Sequence, residues 1–167
     1  MLKFEWPLIV PDDDKIKKLS AATRDASEYV VRLAKEHGLA DGLKPLDGPV
    51  TVHIACHSRA QNMGQKATEM LKLIPEIDLT VVERCSGHGG SWGVMKENFE
   101  VGIKVGRPVF RQAKANGKAK YVASECPLAG LHIAQGMEMS AKDEEEKKSL
   151  PETTPHPITL FAKAYGL

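Results

Sequence analysis

The chain contains three cysteines, and all three occupy the same kind of position. Each follows a short run rich in β-branched residues and precedes a helix-like segment: Cys56 after residues 50–55, Cys85 after 79–84 and Cys126 after 120–125. The carboxyl ends of neighbouring parallel strands lie along one edge of a sheet, so residues distant in sequence can converge there. Cysteine sulfur is a soft ligand for iron and zinc. The pattern therefore predicts a metal or redox site at one edge of a sheet.

A glycine-rich loop follows the second cysteine, with the sequence Arg84-Cys85-Ser86-Gly87-His88-Gly89-Gly90-Ser91-Trp92-Gly93. Glycine permits positive φ and a close approach of backbone to ligand, so the N–H groups of Gly87, Gly89 and Gly90 are candidate donors to an anion. The spacing matches neither the Walker loop nor the dinucleotide fingerprint, which disfavours a nucleotide. The same N–H groups would suit the sulfides and thiolates of an iron–sulfur cluster.

Two histidines beside the cysteines are candidate additional ligands. His57 follows Cys56, and His88 lies three residues after Cys85. Cysteine and histidine together suit zinc or an iron–sulfur centre, but the chain has no Cys-x-x-Cys pair, which weakens a zinc finger. His53 alternates with apolar neighbours in a strand-like run and is expected to be a hydrogen-bonded structural residue.

Two other interpretations of the cysteines remain open on this pattern. A thiolate beside a histidine, such as Cys85 with His88 or Cys56 with His57, could act as a nucleophile, although adjacent residues rarely place base and nucleophile correctly. Free cysteine is also often a buried packing residue. Three cysteines in matching positions favour ligands over packing.

Composition limits the function classes. Twenty-three Lys and Arg against 22 Asp and Glu leave a net charge of +1, which argues against nucleic acid and anionic membranes as partners. No apolar stretch approaches the roughly 20 residues that span a bilayer, and the charged first residues do not form a secretory signal. A reducing, cytoplasmic location follows, in which unpaired cysteines are expected.

Alternating strand and helix patterns predict an α/β fold that positions these residues. A helix pattern runs from Pro11 to a stop at Gly38, and strands and helices alternate from Val50 onward. This predicts a small parallel sheet of βαβ units with flanking helices, an N-terminal helix and a C-terminal helix. The predicted helices of the repeat are residues 61–73, 94–115 (closed by Asn116-Gly117) and 128–139. The predicted organisation is an N-terminal helical segment (1–42), a cysteine-bearing core (43–139), a charged mobile linker (140–155) and a helix that packs back on the core (156–167).

Several runs of residues together resemble the cysteine-rich CCG domain family of iron–sulfur oxidoreductases. They are Ala55-Cys56-His57, residues 84–99, Ser124-Glu125-Cys126-Pro127-Leu128-Ala129 and His156-Pro157-Ile158. The family includes domains of the C subunit of anaerobic glycerol-3-phosphate dehydrogenase and of the B subunit of heterodisulfide reductase. The likeness is greatest to the last such domain of the glycerol-3-phosphate dehydrogenase type, from about Leu43 to the C-terminus. Two cysteines of the family pattern are replaced here, by Ser86 and by Ala129.

The resemblance implies an electron-transfer module of an oxidoreductase complex rather than a complete enzyme. It implies an iron–sulfur cluster, of 4Fe-4S type, held by Cys56, Cys85 and Cys126, whose fourth iron takes His57, His88, an external ligand or none. It also implies two partners, a flavin dehydrogenase subunit and a ferredoxin-like iron–sulfur domain or subunit, with peripheral membrane association through them. The Cys-x-x-Cys runs of the ferredoxin-like clusters are missing, so the chain is expected to be a piece of a longer protein or a stand-alone remnant. A docking domain that has lost its cluster, and a zinc site, are the alternatives.

Overall fold

A small parallel sheet lies at the centre of the chain, as predicted. The computed structural model describes residues 1–115, 119–151 and 154–167. Strand β1 (Val50–His53) lies between β2 (Leu79–Val82) and β3 (Tyr121–Ser124), and both pairs are parallel. All four residues of β1 are buried, as expected for a central strand covered on both faces.

Helices cover both faces of the sheet and form a three-layer α/β domain. In the described ranges the helices are α1 (Trp6–Ile9), α2 (Asp14–Ala22), α3 (Ala26–His37), α4 (Cys56–Ala60), α5 (Lys66–Leu71), α6 (Phe99–Ala115), α7 (Pro127–Met139), α8 (Glu144–Ser149) and α9 (Pro157–Ala164). One face of the sheet packs against α3, α5 and α9 around Val50, Val52 and Ile54. The other face packs against α6 and α7 around Val82 and Val122.

The segment from Pro11 to Gly38, predicted to be one helix, forms two helices, α2 and α3. The pattern is broken between α2 and α3, where Asp25 accepts hydrogen bonds from the N–H groups of Ser27 and Glu28. Glu28 in turn accepts from the Asp25 N–H, which completes a capping box. This cap starts a new helix at Ala26, and α3 then ends at Gly38 (φ 77°), as predicted.

Two helices of the repeat are shorter than predicted. Residues 61–73 contain only α5, because Asn62 (φ 52°) and Gly64 (φ 77°) take left-handed conformations that a right-handed helix excludes. The third repeat helix is α7, as predicted. The segment from residue 94 is helical only from Phe99, after a 3₁₀ turn at Trp92–Val94. Its predicted stop, Asn116-Gly117, lies outside the described residues.

The C-terminal helix α9 buries Leu160, Phe161 and Ala164 in the core. The segment before it contains α8, which its charge run did not predict. Asp143 caps α8 by accepting from the Glu146 N–H, and Glu146 pairs with Lys114 of α6 at 2.8 Å. The mobility of this segment stays a prediction, and residues 152–153 lie outside the described ranges.

Candidate functional site

The three cysteines lie at the same edge of the sheet, beyond the carboxyl ends of its strands. His53, Val82 and Ser124 are register partners across the three strands. Cys56 and Cys85 follow this row by three residues and Cys126 follows it by two. Because β1 is central, Cys56 comes from the middle strand, between the segments of Cys85 and Cys126. Cys56 and Cys85 are exposed, and Cys126 is half-buried.

His53 ties the three cysteine-bearing segments together. Its Nε2–H donates to the carbonyl of Arg84, the residue before Cys85, at 2.9 Å. The Nδ1 atom accepts from the Ser124 hydroxyl at 3.0 Å, and the Ser124 oxygen accepts from the Cys126 N–H at 3.3 Å. Burial lowers the pKa of His53, so the ring is neutral and this tautomer satisfies both nitrogens. The predicted structural histidine is thus a hydrogen-bonded junction three residues before Cys56.

Arg59 is a hydrogen-bond partner of Cys56. Its Nη2 donates to the Cys56 sulfur at 3.4 Å, and this hydrogen bond raises the pKa of Arg59, to which the charge of Cys85 also contributes. Arg59 lies one helical turn after Cys56 on α4, which is the spacing that brings two side chains together. The prediction from sequence did not include it, although that spacing was visible.

The third cysteine faces a histidine of the glycine-rich loop. The Cys126 sulfur lies 3.7 Å from His88 Nε2, and His88 Nδ1 donates to the Gly90 carbonyl at 2.8 Å. The structure therefore brings the predicted ligands Cys126 and His88 together. Burial is the main cause of the lowered pKa of His53, and the charges of Arg59 and His88 act in the same direction.

A ready-made metal site is not present in the described ranges. Among those residues, no three His, Cys, Asp or Glu side chains are grouped so that they could hold a metal ion. His57 is exposed at the start of α4, next to Cys56. The roles of the three cysteines, His57 and His88 as ligands stay predictions.

The three glycines predicted to face an anion divide into two kinds. Gly87 is buried, and a Cβ there would overlap the backbone carbonyl of Gly102 on α6. Gly89 (φ 51°) and Gly90 (φ 69°) are exposed, and no hydrogen bond among the described residues uses their N–H groups. Gly87 holds the loop on α6, while the N–H groups of the other two are free to donate.

A buried carboxyl group adjoins the third cysteine. Glu125 is 7% exposed, and both of its oxygens lack a hydrogen-bond partner in the described part of the chain. Burial raises the pKa of Glu125, and the negative charge of Asp25 acts in the same direction. Three groups act to lower the pKa of Glu125: the Ser58 hydroxyl, His57 and His156. Ser58 lies nearby but makes no well-formed hydrogen bond to the carboxyl group. A polar residue at the end of an apolar strand is the signal that could have singled out Glu125.

Glu125→Gln is expected to stabilise the apoprotein at neutral pH. The folded state prefers the protonated acid, so the cost of burying Glu125 is absent well below pH 4.5 and grows as the pH rises through the raised pKa. Glutamine resembles the neutral acid and avoids this cost. Urea unfolding should therefore show the variant more stable than the wild type at pH 8, with the difference shrinking toward pH 4. An equal difference at both pH values would contradict the burial argument.

His53→Leu is expected to destabilise the fold by about 2–4 kcal/mol, because it removes the partner of the buried Ser124 hydroxyl and of the partly buried Arg84 carbonyl. Thiol labelling should also accelerate at Cys85 and Cys126, whose segments lose their anchor. His37→Leu, at an exposed position, is the matched control and should change stability by less than about 0.5 kcal/mol. Equal urea midpoints for the two variants would show that the junction contributes nothing.

Comparisons with known proteins relate nearly the whole chain to parts of longer proteins. It is 32% identical over 167 aligned residues to the C subunit of anaerobic glycerol-3-phosphate dehydrogenase from Escherichia coli strains K12 and O157:H7, covering 98% of this chain and 37% of that protein. It is 31% identical over 144 residues to an uncharacterized iron–sulfur protein of Methanococcus maripaludis, covering 84% of this chain and 27% of that protein. No family model and no solved structure matches the chain.

No family model confirms the predicted CCG domain. The predicted relationship to the C subunit of anaerobic glycerol-3-phosphate dehydrogenase is confirmed. In the described part of the chain, no helix has both the length and the apolar character needed to cross a membrane. The chain spans between about a quarter and two fifths of the length of the relatives it matches. The chain is therefore related to the C subunit of anaerobic glycerol-3-phosphate dehydrogenase and to an iron–sulfur protein, each of which is a much longer polypeptide.

Proposed function

We propose that the chain is an iron–sulfur electron-transfer module of a cytoplasmic oxidoreductase complex of the glycerol-3-phosphate dehydrogenase type. The observation that carries the proposal is the placement of Cys56, Cys85 and Cys126 at one sheet edge, joined through His53. The names of the relatives support it independently. A bound cluster stores one electron at a time on its iron atoms.

The donor set fits an iron–sulfur cluster. Three thiols would supply three corners of a 4Fe-4S cluster, and His88, beside Cys126, is better placed than exposed His57 to supply a fourth ligand. The free N–H groups of Gly89 and Gly90 would donate to sulfur and favour the reduced, more negative state. Since the thiols are not grouped for a metal ion as they stand, we infer that exposed Cys56 and Cys85 turn toward Cys126 when the cluster binds.

The proposed partners are a flavin dehydrogenase subunit and a ferredoxin-like iron–sulfur domain or subunit, which would attach the complex peripherally to a membrane. The E. coli relative is named as one subunit of a dehydrogenase, which supports an assembly of several subunits. The chain corresponds to only 37% of that relative, so the electron donor and acceptor would lie on other polypeptide.

Anaerobic reconstitution with iron and sulfide tests the proposal. We expect broad visible absorption and about four irons per chain, because three thiolates would hold three corners of a 4Fe-4S cluster and leave the fourth iron open. The absence of a three-ligand group among the described residues favours a second candidate, a docking domain without a cluster, which predicts colourless protein whose stability ignores iron. Stoichiometric zinc without iron in the purified protein would instead establish a zinc site.

A further inference from the structure

We propose that the end of the molecule that carries the cysteines is the docking face for an electron-carrying polypeptide, and that the N-terminal arm, residues 1–10, forms one half of it. The choice of an electron carrier as the partner rests on the proposed function. The location of the face rests on the surface of the folded chain alone.

The N-terminal arm exposes an unusual density of large apolar side chains. Seven of its ten residues are large apolar residues at least 39% exposed: Met1, Leu2, Phe4, Trp6, Leu8, Ile9 and Val10. Neither α1 nor α2 buries a side chain. Backbone hydrogen bonds from Glu5 N–H to the Met1 carbonyl (3.0 Å) and from Val10 N–H to the Trp6 carbonyl (2.9 Å) wind the arm into consecutive turns. The apolar side chains therefore crowd onto one compact element.

Polar contacts attach this arm to the domain. Lys3 pairs with Glu28 at 3.2 Å, and the Ser20 hydroxyl donates to the Lys3 carbonyl at 2.5 Å. Exposed apolar patches larger than a few hundred Å² are uncommon on monomeric proteins and mark interaction sites. An arm that is held in place while its apolar side chains face outward is suited to receive a partner.

The attachment point places the arm at the cysteine edge. Lys3 binds Glu28 in the first turn of α3, and this turn begins after Asp25. Helix α9 starts at the carboxyl end of the sheet, where the Ser124 N–H donates to the Pro155 carbonyl, and Tyr165 at its other end donates to the Ala40 carbonyl just after α3. Helix α3 therefore ends at the amino end of the sheet and begins at the carboxyl end. The arm therefore lies at the same end of the sheet as the thiols.

A second exposed apolar group lies on the elements that follow the other cysteines. Trp92, Val94 and Met95 follow the glycine-rich loop after Cys85, and all are at least 43% exposed. Leu128 (46%) and Leu131 (64%) stand on the first turns of α7, directly after Cys126. This group lies on the α6 and α7 side of the sheet, and the arm is held by α3 on the other side. The thiols at the sheet edge therefore stand between them, so one partner that covers both would also cover the site.

The composition of this face fits a protein rather than a lipid surface. Tryptophan, phenylalanine, methionine and arginine are enriched in protein interfaces, and the face carries Phe4, Trp6, Trp92, Met95 and, beside Cys56, Arg59. The net charge of +1 offers no excess of basic residues that would attract an anionic lipid surface.

The E. coli relative supplies the argument for which protein docks there. The match covers 98% of this chain, so the arm has a counterpart in the E. coli relative. The match covers only 37% of that relative, and the rest of its polypeptide has no counterpart in this chain. We therefore expect the arm to contact polypeptide equivalent to that remainder.

Site-specific photo-crosslinking in the source cells tests the proposal. A benzoylphenylalanine is placed at Leu8, at Leu131 and, as the control, at Leu167, which is 93% exposed at the far end of α9. We expect the Leu8 and Leu131 positions to capture one and the same polypeptide, identified by mass spectrometry as one that carries Cys-x-x-Cys iron–sulfur motifs or a flavin. The Leu167 position should not capture it.

Capture of a second copy of this chain, of lipid, of a polypeptide without an electron carrier, or of nothing would overturn the proposal. The captured polypeptide is then purified for a binding titration with the Leu8→Asp/Ile9→Asp variant. Its dissociation constant should rise at least about tenfold while the urea midpoint stays unchanged, because both side chains are exposed. An unchanged dissociation constant would show that the arm is not part of the docking face. Iron content of the wild type is measured separately, so a chain that docks without binding iron refutes the cluster and not the docking face.

Discussion

Replacing Cys56, Cys85 and Cys126 together by alanine is expected to abolish iron binding, from about four irons per reconstituted chain to fewer than about 0.2. Thiolate sulfur is the ligand that iron–sulfur clusters require, and the chain contains no other cysteine. Neither exposed Cys56 nor exposed Cys85 contributes to the core, so the apoprotein should stay folded and its urea midpoint should move little.

Single substitutions distinguish side chains that bind the cluster from side chains that only lie near it. Each single cysteine-to-alanine variant should lose most of its iron, because three thiolates already leave one corner of the cluster open. His88→Ala should lower iron retention only partly, and His57→Ala, at an exposed position, should have the smaller effect. Full reconstitution of the triple variant, measured by iron content and visible absorption, would show that the cysteines do not hold a cluster.

Gly87→Val is expected to destabilise the fold by more than about 3 kcal/mol. A Cβ at this position would overlap the Gly102 carbonyl and approach the Gly106 nitrogen, and both belong to helical backbone that cannot move aside. The left-handed conformation of Gly87 (φ 89°) adds about 1–2 kcal/mol for any residue with a Cβ. The loop would leave α6, and it would carry His88 away from Cys126.

Gly90→Val, in the same loop, is the matched control. Gly90 is also left-handed (φ 69°), but nothing lies within 4 Å of a Cβ built there. Its cost should therefore be limited to backbone strain of about 1–2 kcal/mol, plus a small extra for the branched side chain. Urea unfolding measures both variants, and equal losses of stability would mean that packing on α6 does not hold the loop.

The sheet and the edge that carries the cysteines could be predicted from sequence because both depend on local patterns. Runs such as 50–53 and 79–82 have the composition of buried parallel strands, and each is followed by a cysteine at nearly the same offset. The break before α3 was also visible in principle, since Asp25 and Glu28 have capping-box spacing. Helical periodicity across the break concealed it.

Contacts that depend on register or on close backbone approach could not be predicted in this way. The junction at His53 requires that Arg84 and Ser124 stand beside it on two neighbouring strands, which only the folded sheet defines. The role of Gly87 depends on Gly102 and Gly106, which present bare backbone on one face of α6. From sequence, Gly87 was indistinguishable from Gly89 and Gly90.

The order of the strands has a consequence for how the apoprotein would oxidise in air. Neighbouring strands are about 4.8 Å apart, so the backbones of the two outer segments are separated by roughly 10 Å at this edge. A disulfide requires Cα atoms closer than about 7 Å. This spacing disfavours a disulfide between Cys85 and Cys126, whereas Cys56, on the middle strand, is the neighbour of both. Oxidation should therefore favour a disulfide that uses Cys56 and leaves one outer thiol free.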